Sequence, residues 1–293
     1  MLVLTASSVM AMAGDDRSEP ADQAADARLR ASFFERARPA ISNLLVETEN
    51  RVGRKMVFVA APVSEPVAAR CLYDVERHEP RIFLRPGWSD VEVAHEAMHM
   101  RLDLVEGFGM LAWRRAVKPT EAVLAAVGRV QTYVKDEVVH ARLVKMGLKM
   151  DGEVFRPTLF DSVYRNATRY MEEGRDRPND GMAHLDKLGY GVLCRVCFLV
   201  QAELLLKNYR EKLSPGHGAL AAMFIRTFRA QRPAESARAD KILELFRKND
   251  VQTPAGHDEI LRAWAKMEDL DKFVGVTWYR KDQKSHYTLP FPE

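Results

Sequence analysis

The chain has 293 residues, a net charge of +3 and 29% charged residues, which suits a globular protein of one domain or two tightly packed ones. Lysine and arginine are spread along the sequence without a basic tract that carries interleaved aromatics, so nothing predicts binding to nucleic acid. Three cysteines exclude a disulfide framework and favour a reducing compartment, so we expect a cytoplasmic protein.

The first residues offer an alternative location. Residues 2–13 are apolar, and Ala11-Met12-Ala13 has the A-x-A form of a signal-peptide cleavage site, although no basic residue precedes Arg17. We therefore expect residues 1–27 to be a mobile tail, or a weak signal-like segment ending near Ala13 that would direct export. No later stretch is long and uncharged enough to predict a membrane span.

A helix and a small sheet are predicted next. Residues 29–51 have apolar side chains at near-helical spacing, which predicts one helix. Short apolar or alternating runs at 55–60, 67–73 and 81–84 predict three strands, which we expect to form a sheet that is antiparallel in part.

A capped helix with a metal-binding motif follows. Ser89 and Glu92 match the S-x-x-E capping box, so a helix should begin near Ser89. His95-Glu96-Ala97-Met98-His99 then forms H-E-x-x-H, and its two histidines share one helix face and can bind one zinc ion. Glu96 can take a proton from metal-bound water. The motif predicts metal-assisted hydrolysis, most simply of a peptide bond.

The following helix can supply the third protein ligand that a catalytic zinc needs. It should begin with Thr120 as its cap and end near Met146, and it carries Glu137 and His140 on one face. Either residue can complete the site. We expect Glu137 to be the ligand and His140 to act in catalysis, by orienting a ligand or by donating to a developing oxyanion.

The rest of the chain is predicted to be mostly helical, with helices separated by Pro, Gly or Asn turns at residues 158–173, 189–209, 219–230, 236–248 and 258–273. Cys194 and Cys197 form C-x-x-C inside an apolar run, and we interpret them as buried helix cysteines. Residues 274–279 and 286–291 could form a terminal hairpin or lie as extended cover.

The order of these elements resembles that of the zincin metallopeptidases, in particular the gluzincins. It also resembles that of uncharacterised bacterial proteins in which H-E-x-x-H is followed by a helix with N/D-E-x-x-H and a short run, here residues 136–140 and Lys145-Met146-Gly147-Leu148. The resemblance covers about residues 30–150.

The resemblance implies one zinc ion per chain, held by His95, His99 and Glu137, with Glu96 as the general base. It also implies an α+β, predominantly helical fold, with a small zincin-like sheet and the active-site helix in a core at 28–150 and a helical region at 151–293 packed on it. The predicted function is that of a zinc metallopeptidase acting on a peptide or protein substrate, and no pattern fixes an oligomeric state.

Two other functions remain as alternatives. Glu92, Glu96 and Glu137 each begin an E-x-x-H motif, and paired motifs of this kind hold two irons in di-iron carboxylate bundles. The third possibility is an inactive zincin-like scaffold that binds a partner. Metal analysis distinguishes one zinc per chain from two irons.

Overall fold

The computed structural model describes residues 20–64, 68–115, 118–155, 164–172, 191–284 and 286–292. They form two compact units. The sheet unit contains residues 20–115 and 274–292, and the helical unit contains residues 118–273. The chain passes from one unit to the other after residue 115 and returns at residue 274. The predicted ranges, 28–150 and 151–293, have a single boundary instead.

Among its described residues, the sheet unit has three helices and seven short strands. Its elements in chain order are α1 (Pro20–Arg36), α2 (Pro39–Val52), β1 (Val57–Ala60), β2 (Ala69–Asp74), β3 (Glu79–Leu84), α3 (Asp90–Leu104), β4 (Met110–Trp113), β5 (Val274–Thr277), β6 (Arg280–Lys281) and β7 (Tyr287–Thr288).

The described part of the helical unit contains no strand. Its helices are α4 (Glu121–Lys145), α5 (Asn166–Glu172), α6 (Gly191–Tyr209), α7 (Pro215–Gln231), α8 (Pro233–Lys248) and α9 (Pro254–Met267). The predicted fold class, predominantly helical α+β with small sheets, is confirmed. None of the described helices combines the length and apolar character that a membrane span requires.

The prediction of a single helix at 29–51 is wrong, because two helices, α1 and α2, occupy this stretch. Pro39 is the cause, since the residue before a proline is pushed out of the helical region and Arg38 has an extended ψ of 145°. Helix α1 also begins earlier than predicted, so residues 20–27 of the expected tail are helical. Residues 1–19, with the signal-like segment, lie outside the described residues.

The sheet has the order β1-β3-β2, with β1 parallel and β2 antiparallel to β3. The prediction of a sheet that is antiparallel in part is therefore confirmed. Side chains alternate between buried and half-buried along β2 and β3, which gives the sheet one core face. Helix α3 packs against β2 and β3.

Helix α3 begins where the sequence predicts. The Ser89 hydroxyl accepts a hydrogen bond from the Glu92 backbone N–H at 3.4 Å, and the Glu92 carboxylate accepts one from the Ser89 N–H at 2.7 Å. Asp90, in the first turn, accepts hydrogen bonds from the guanidinium of Arg38 at 2.9 and 3.1 Å. These contacts hold the start of the helix beside α2 and set the direction in which its later side chains point.

The C-terminal residues do not form one hairpin over 274–279 and 286–291. Strand β5 pairs instead with the distant β4, and only the short β6 and β7 pair with each other. The backbone N–H of Tyr287 donates to the Tyr73 hydroxyl at 3.1 Å, which fastens β7 to β2. The last strands therefore belong to the sheet unit.

In the helical unit, α4 packs against α6 and α9, and α6 packs against α7 and α8. Cys194 and Cys197 are both buried on α6, which agrees with their interpretation as buried helix cysteines. Burial raises the pKa of the Cys197 thiol well above its ordinary value, so the thiol stays protonated at neutral pH.

Ser89→Ala should lower the free energy of unfolding of the protein by about 1 kcal/mol, because it removes the hydroxyl from the capping box. Urea unfolding followed by circular dichroism measures the change. Ser42→Ala is the matched control, since Ser42 lies inside α2 and caps no helix, and it should change stability by less than about 0.5 kcal/mol. Equal losses in the two variants would contradict a capping role for Ser89.

Candidate metal centre

His95 and His99 face each other on α3. Their Nε2 atoms are 3.0 Å apart, and their rings meet edge to face with centroids 4.7 Å apart. His99 is 2% exposed, whereas His95 is half-buried. One helix face therefore presents two imidazole nitrogens to the same point, and one of the two histidines is partly exposed.

This pair fits a metal ion. Two nitrogen ligands of a tetrahedral zinc, each about 2.0–2.1 Å from the ion, lie about 3.3 Å apart. The separation of 3.0 Å between the two Nε2 atoms is a few tenths of an ångström shorter. This distance is typical of a hydrogen bond in which one neutral imidazole donates to the other. A small rotation of the rings turns this hydrogen-bonded pair into a ligand pair.

Glu96 lies between the two histidines in sequence and is 2% exposed. Most of its helix is buried as well, including Ala94, Ala97 and Met98 beside the motif. The carboxylate is therefore held where few water molecules reach it. In such surroundings a proton acceptor interacts strongly with the charges near it.

Asp136 on α4 belongs to the same group. One ligand atom each of His95, His99 and Asp136 lies within 4.8 Å of the other two, so these three residues could hold a metal ion. Asp136 is half-buried. The donor set is two imidazoles and one carboxylate, which are ligands that zinc accepts. Within the described part of the chain, no second group of this kind occurs.

Glu137, the expected third ligand, is not in this group and is buried among residues of the helical unit. Burial raises the pKa of its carboxyl to about 8 and Asp136 adds to the rise, while a hydrogen bond from the Asn208 side chain opposes it. Burial and then the proximity of Glu137 raise the pKa values of Tyr164 and Tyr209. The Glu137 side chain therefore faces α6 and Tyr164.

His140, the other residue predicted on this helix, is 6% exposed and meets the Phe155 ring edge to face at 5.0 Å. It shares a face with Asp136, since residues four apart on a helix lie one turn above each other. His140 is not within the group of His95, His99 and Asp136, and its role in catalysis stays a prediction.

Asp136 is the residue that sequence reasoning missed. It directly precedes Glu137, and consecutive residues of a helix point about 100° apart. The pattern D-E-x-x-H offers two carboxylates. Glu137 is the one whose side chain faces α6, and Asp136 is the one in the group with the two histidines. Asp136 lies four residues and Glu137 three residues before His140, so both share a face with it and the spacing does not separate them.

Comparison with models of known protein families finds no match, and neither the curated proteins nor the solved structures include a detectable relative of this chain.

His95→Ala and His99→Ala should each lower zinc affinity at least tenfold, because each removes one of the three candidate ligands. Zinc competition with a chromophoric chelator measures the affinity, and circular dichroism checks that the helices persist. His78→Ala is the control, since it removes a histidine from a turn of the sheet unit that lies outside the group. Unchanged affinity in both α3 variants would show that the motif binds no metal.

The third ligand is tested by comparing three variants of α4. Asp136→Asn should lower zinc affinity at least tenfold, because a neutral amide oxygen is a weaker ligand than a carboxylate. Glu137→Gln should leave zinc affinity within about twofold of the wild-type value, because its side chain faces Asn208. His140→Ala should cost activity more than metal binding. If Glu137→Gln weakened zinc binding and Asp136→Asn did not, the sequence-based choice of Glu137 would be right.

Proposed function

We propose that this protein is a zinc-dependent hydrolase, most simply a metallopeptidase. The observation that carries the proposal is the pair of imidazole nitrogens 3.0 Å apart on a capped helix, with a buried glutamate between the two histidines in sequence. His95 and His99 would hold the ion, with Asp136 as the third ligand. A zinc ion bound there would supply a Lewis acid and make a water molecule acidic enough to attack a carbonyl near neutral pH.

Glu96 would move the proton. A carboxylate oxygen of Glu96 takes a proton from the attacking water and returns it to the leaving nitrogen, so both steps use one residue as base and then as acid. Its burial supports this role, because a carboxylate shielded from bulk water exchanges its proton with the reactants. His140, on the Asp136 face of α4, would donate to the developing oxyanion or orient a ligand.

The choice of a peptide substrate has two supports. H-E-x-x-H is a pattern of metallopeptidases. In addition, β2 is an edge strand of the sheet and packs against α3, the helix that carries the motif. An extended peptide can add to an edge strand through its backbone, which would fix the substrate beside the motif without selecting its sequence.

The donor set also suits iron, because two histidines and one carboxylate are the ligands of mononuclear iron(II) oxygenases. The di-iron alternative needs a second cluster of carboxylates. An inactive scaffold would keep the metal and lack hydrolysis. Metal analysis of the purified protein is expected to find one zinc per chain, and either one or two irons would redirect the proposal to oxygen chemistry.

The proposed activity is tested by incubating the zinc-loaded protein with a mixture of peptides of defined sequence. Mass spectrometry should find new termini, and 1,10-phenanthroline should abolish their formation. If fully zinc-loaded protein cleaved no peptide, the peptidase proposal would fail while the metal site would stand, and the inactive scaffold would become the better interpretation.

Glu96→Gln should retain zinc and lower the hydrolysis rate by about 10²–10⁴-fold, because the amide keeps the shape of the side chain and cannot accept the proton. The measurement pairs a zinc-affinity titration with the peptide assay. Glu92→Gln is the matched control one turn earlier, and it should reduce stability through the capping box without a comparable loss of rate. Normal cleavage by Glu96→Gln would rule out Glu96 as the general base.

A further inference from the structure

A cavity of about 510 Å³ lies in the sheet unit, bounded by α1, β1, the turn after β2, and β3. Its lining includes three guanidinium groups, from Arg30, Arg77 and Arg81, together with the carboxylates of Asp26 and Glu79. The volume lies within the range typical of small-molecule sites. No residue of the candidate metal centre lines this cavity.

Arg81 is the unusual member of this lining. Its side chain is only 13% exposed, yet its nearest carboxylate oxygens, on Asp74 and Glu79, are 3.8 and 3.7 Å away, which is too far for a hydrogen bond. The Nε atom is buried and has no hydrogen-bond partner among the described residues. A guanidinium that is largely removed from water ordinarily has acceptors for its N–H groups.

The other guanidinium groups differ from Arg81. Arg30 donates to both oxygens of Glu49, at 2.5 and 2.8 Å, and to the Met56 carbonyl at 3.0 Å, so its donors are used. Arg77 is 34% exposed and lies 3.8 Å from Asp74. Arg81 is therefore the guanidinium on this wall that is both buried and short of acceptors.

The backbone fixes Arg81 toward the cavity. It is paired in register with Val57 of the parallel strand β1, and paired residues of neighbouring strands project to the same face of a sheet. Val57 also lines the cavity and is half-buried. A planar donor group thus lies next to an apolar wall.

We propose that this cavity binds a small organic molecule with one carboxylate or phosphate group on an apolar body, and that Arg81 binds the anionic group. The guanidinium fork matches both kinds of oxyanion and can donate two parallel hydrogen bonds to either. The apolar body lies against Ala27 and Val57. Asp26 and Glu79 repel further negative charge, so a single anionic group is preferred.

Isothermal titration calorimetry on the full chain tests the proposal with phenyl phosphate and phenylacetate as probes and benzyl alcohol as the neutral control. At least one anionic probe should bind with a stoichiometry of one, and benzyl alcohol should bind at least tenfold more weakly. The comparison of the two anions tells a phosphate site from a carboxylate site. Binding should persist in the presence of 1,10-phenanthroline, because the cavity shares no residue with the metal centre.

Arg81→Gln should weaken binding of the anionic probe at least tenfold, and Arg81→Lys should weaken it less, because the charge remains while the fork is lost. The matched control is Arg70→Gln, since Arg70 lies on the same face of the sheet, over the Phe83 ring, and outside the cavity lining. It should change the affinity less than twofold.

Glu79→Gln protects the test against a variant that merely fails to fold. Removing this carboxylate frees Arg81 from a competing charge, so the affinity for the anionic probe should rise a few-fold, which a damaged protein would not show. Absence of binding by both anions to the wild-type protein would overturn the proposal, and so would equal losses in Arg81→Gln and Arg70→Gln.

Discussion

The candidate metal centre depends on the residue at which helix α3 begins, because that residue determines which side of the helix faces each neighbour. The reciprocal hydrogen bonds between Ser89 and Glu92 fix the residue at which α3 starts, and Asp90 holds that start through Arg38. Each later side chain then points in a direction set by its distance from the cap. His95 and His99 converge because they are four residues apart on this helix. A helix without a fixed start would still be helical, but its two imidazoles would share their face with different neighbours.

Local patterns in the sequence predict most of the helices and strands around the histidine motif. The capping box, the four-residue spacing of the histidines and the short apolar or alternating runs that predict β1, β2 and β3 each involve only neighbouring residues, and each is found as expected. The prediction of one helix at 29–51, where the structure has two, was also wrong for a local reason. Pro39 removes a backbone donor and forces Arg38 out of the helical region, and this rule outweighs the apolar periodicity around it.

What could not be predicted involves contacts between distant segments. The pairing of β5 with β4 joins residues more than 160 positions apart, and the sequence of neither strand identifies the strand with which it pairs. The choice between Glu137 and Asp136 as a candidate ligand depends on the same kind of contact. Both carboxylates fit the ligand pattern, and the packing of α4 against α6, with Asn208 as the partner of Glu137, cannot be read from neighbouring residues.

The return of the C-terminal strands to the sheet unit affects how the chain can fold while it is being made. The ribosome makes the helical unit before Val274, so its earlier helices can begin to pack before β5 emerges. The sheet unit forms later, because β4 lacks its partner and Tyr73 lacks the backbone of Tyr287 until β5 and β7 have emerged. During that interval α3 has formed its cap, while the strand edge at β4 stays exposed to other chains. The partly synthesised protein thus has a period of vulnerability to aggregation that ends only when β5 has paired with β4.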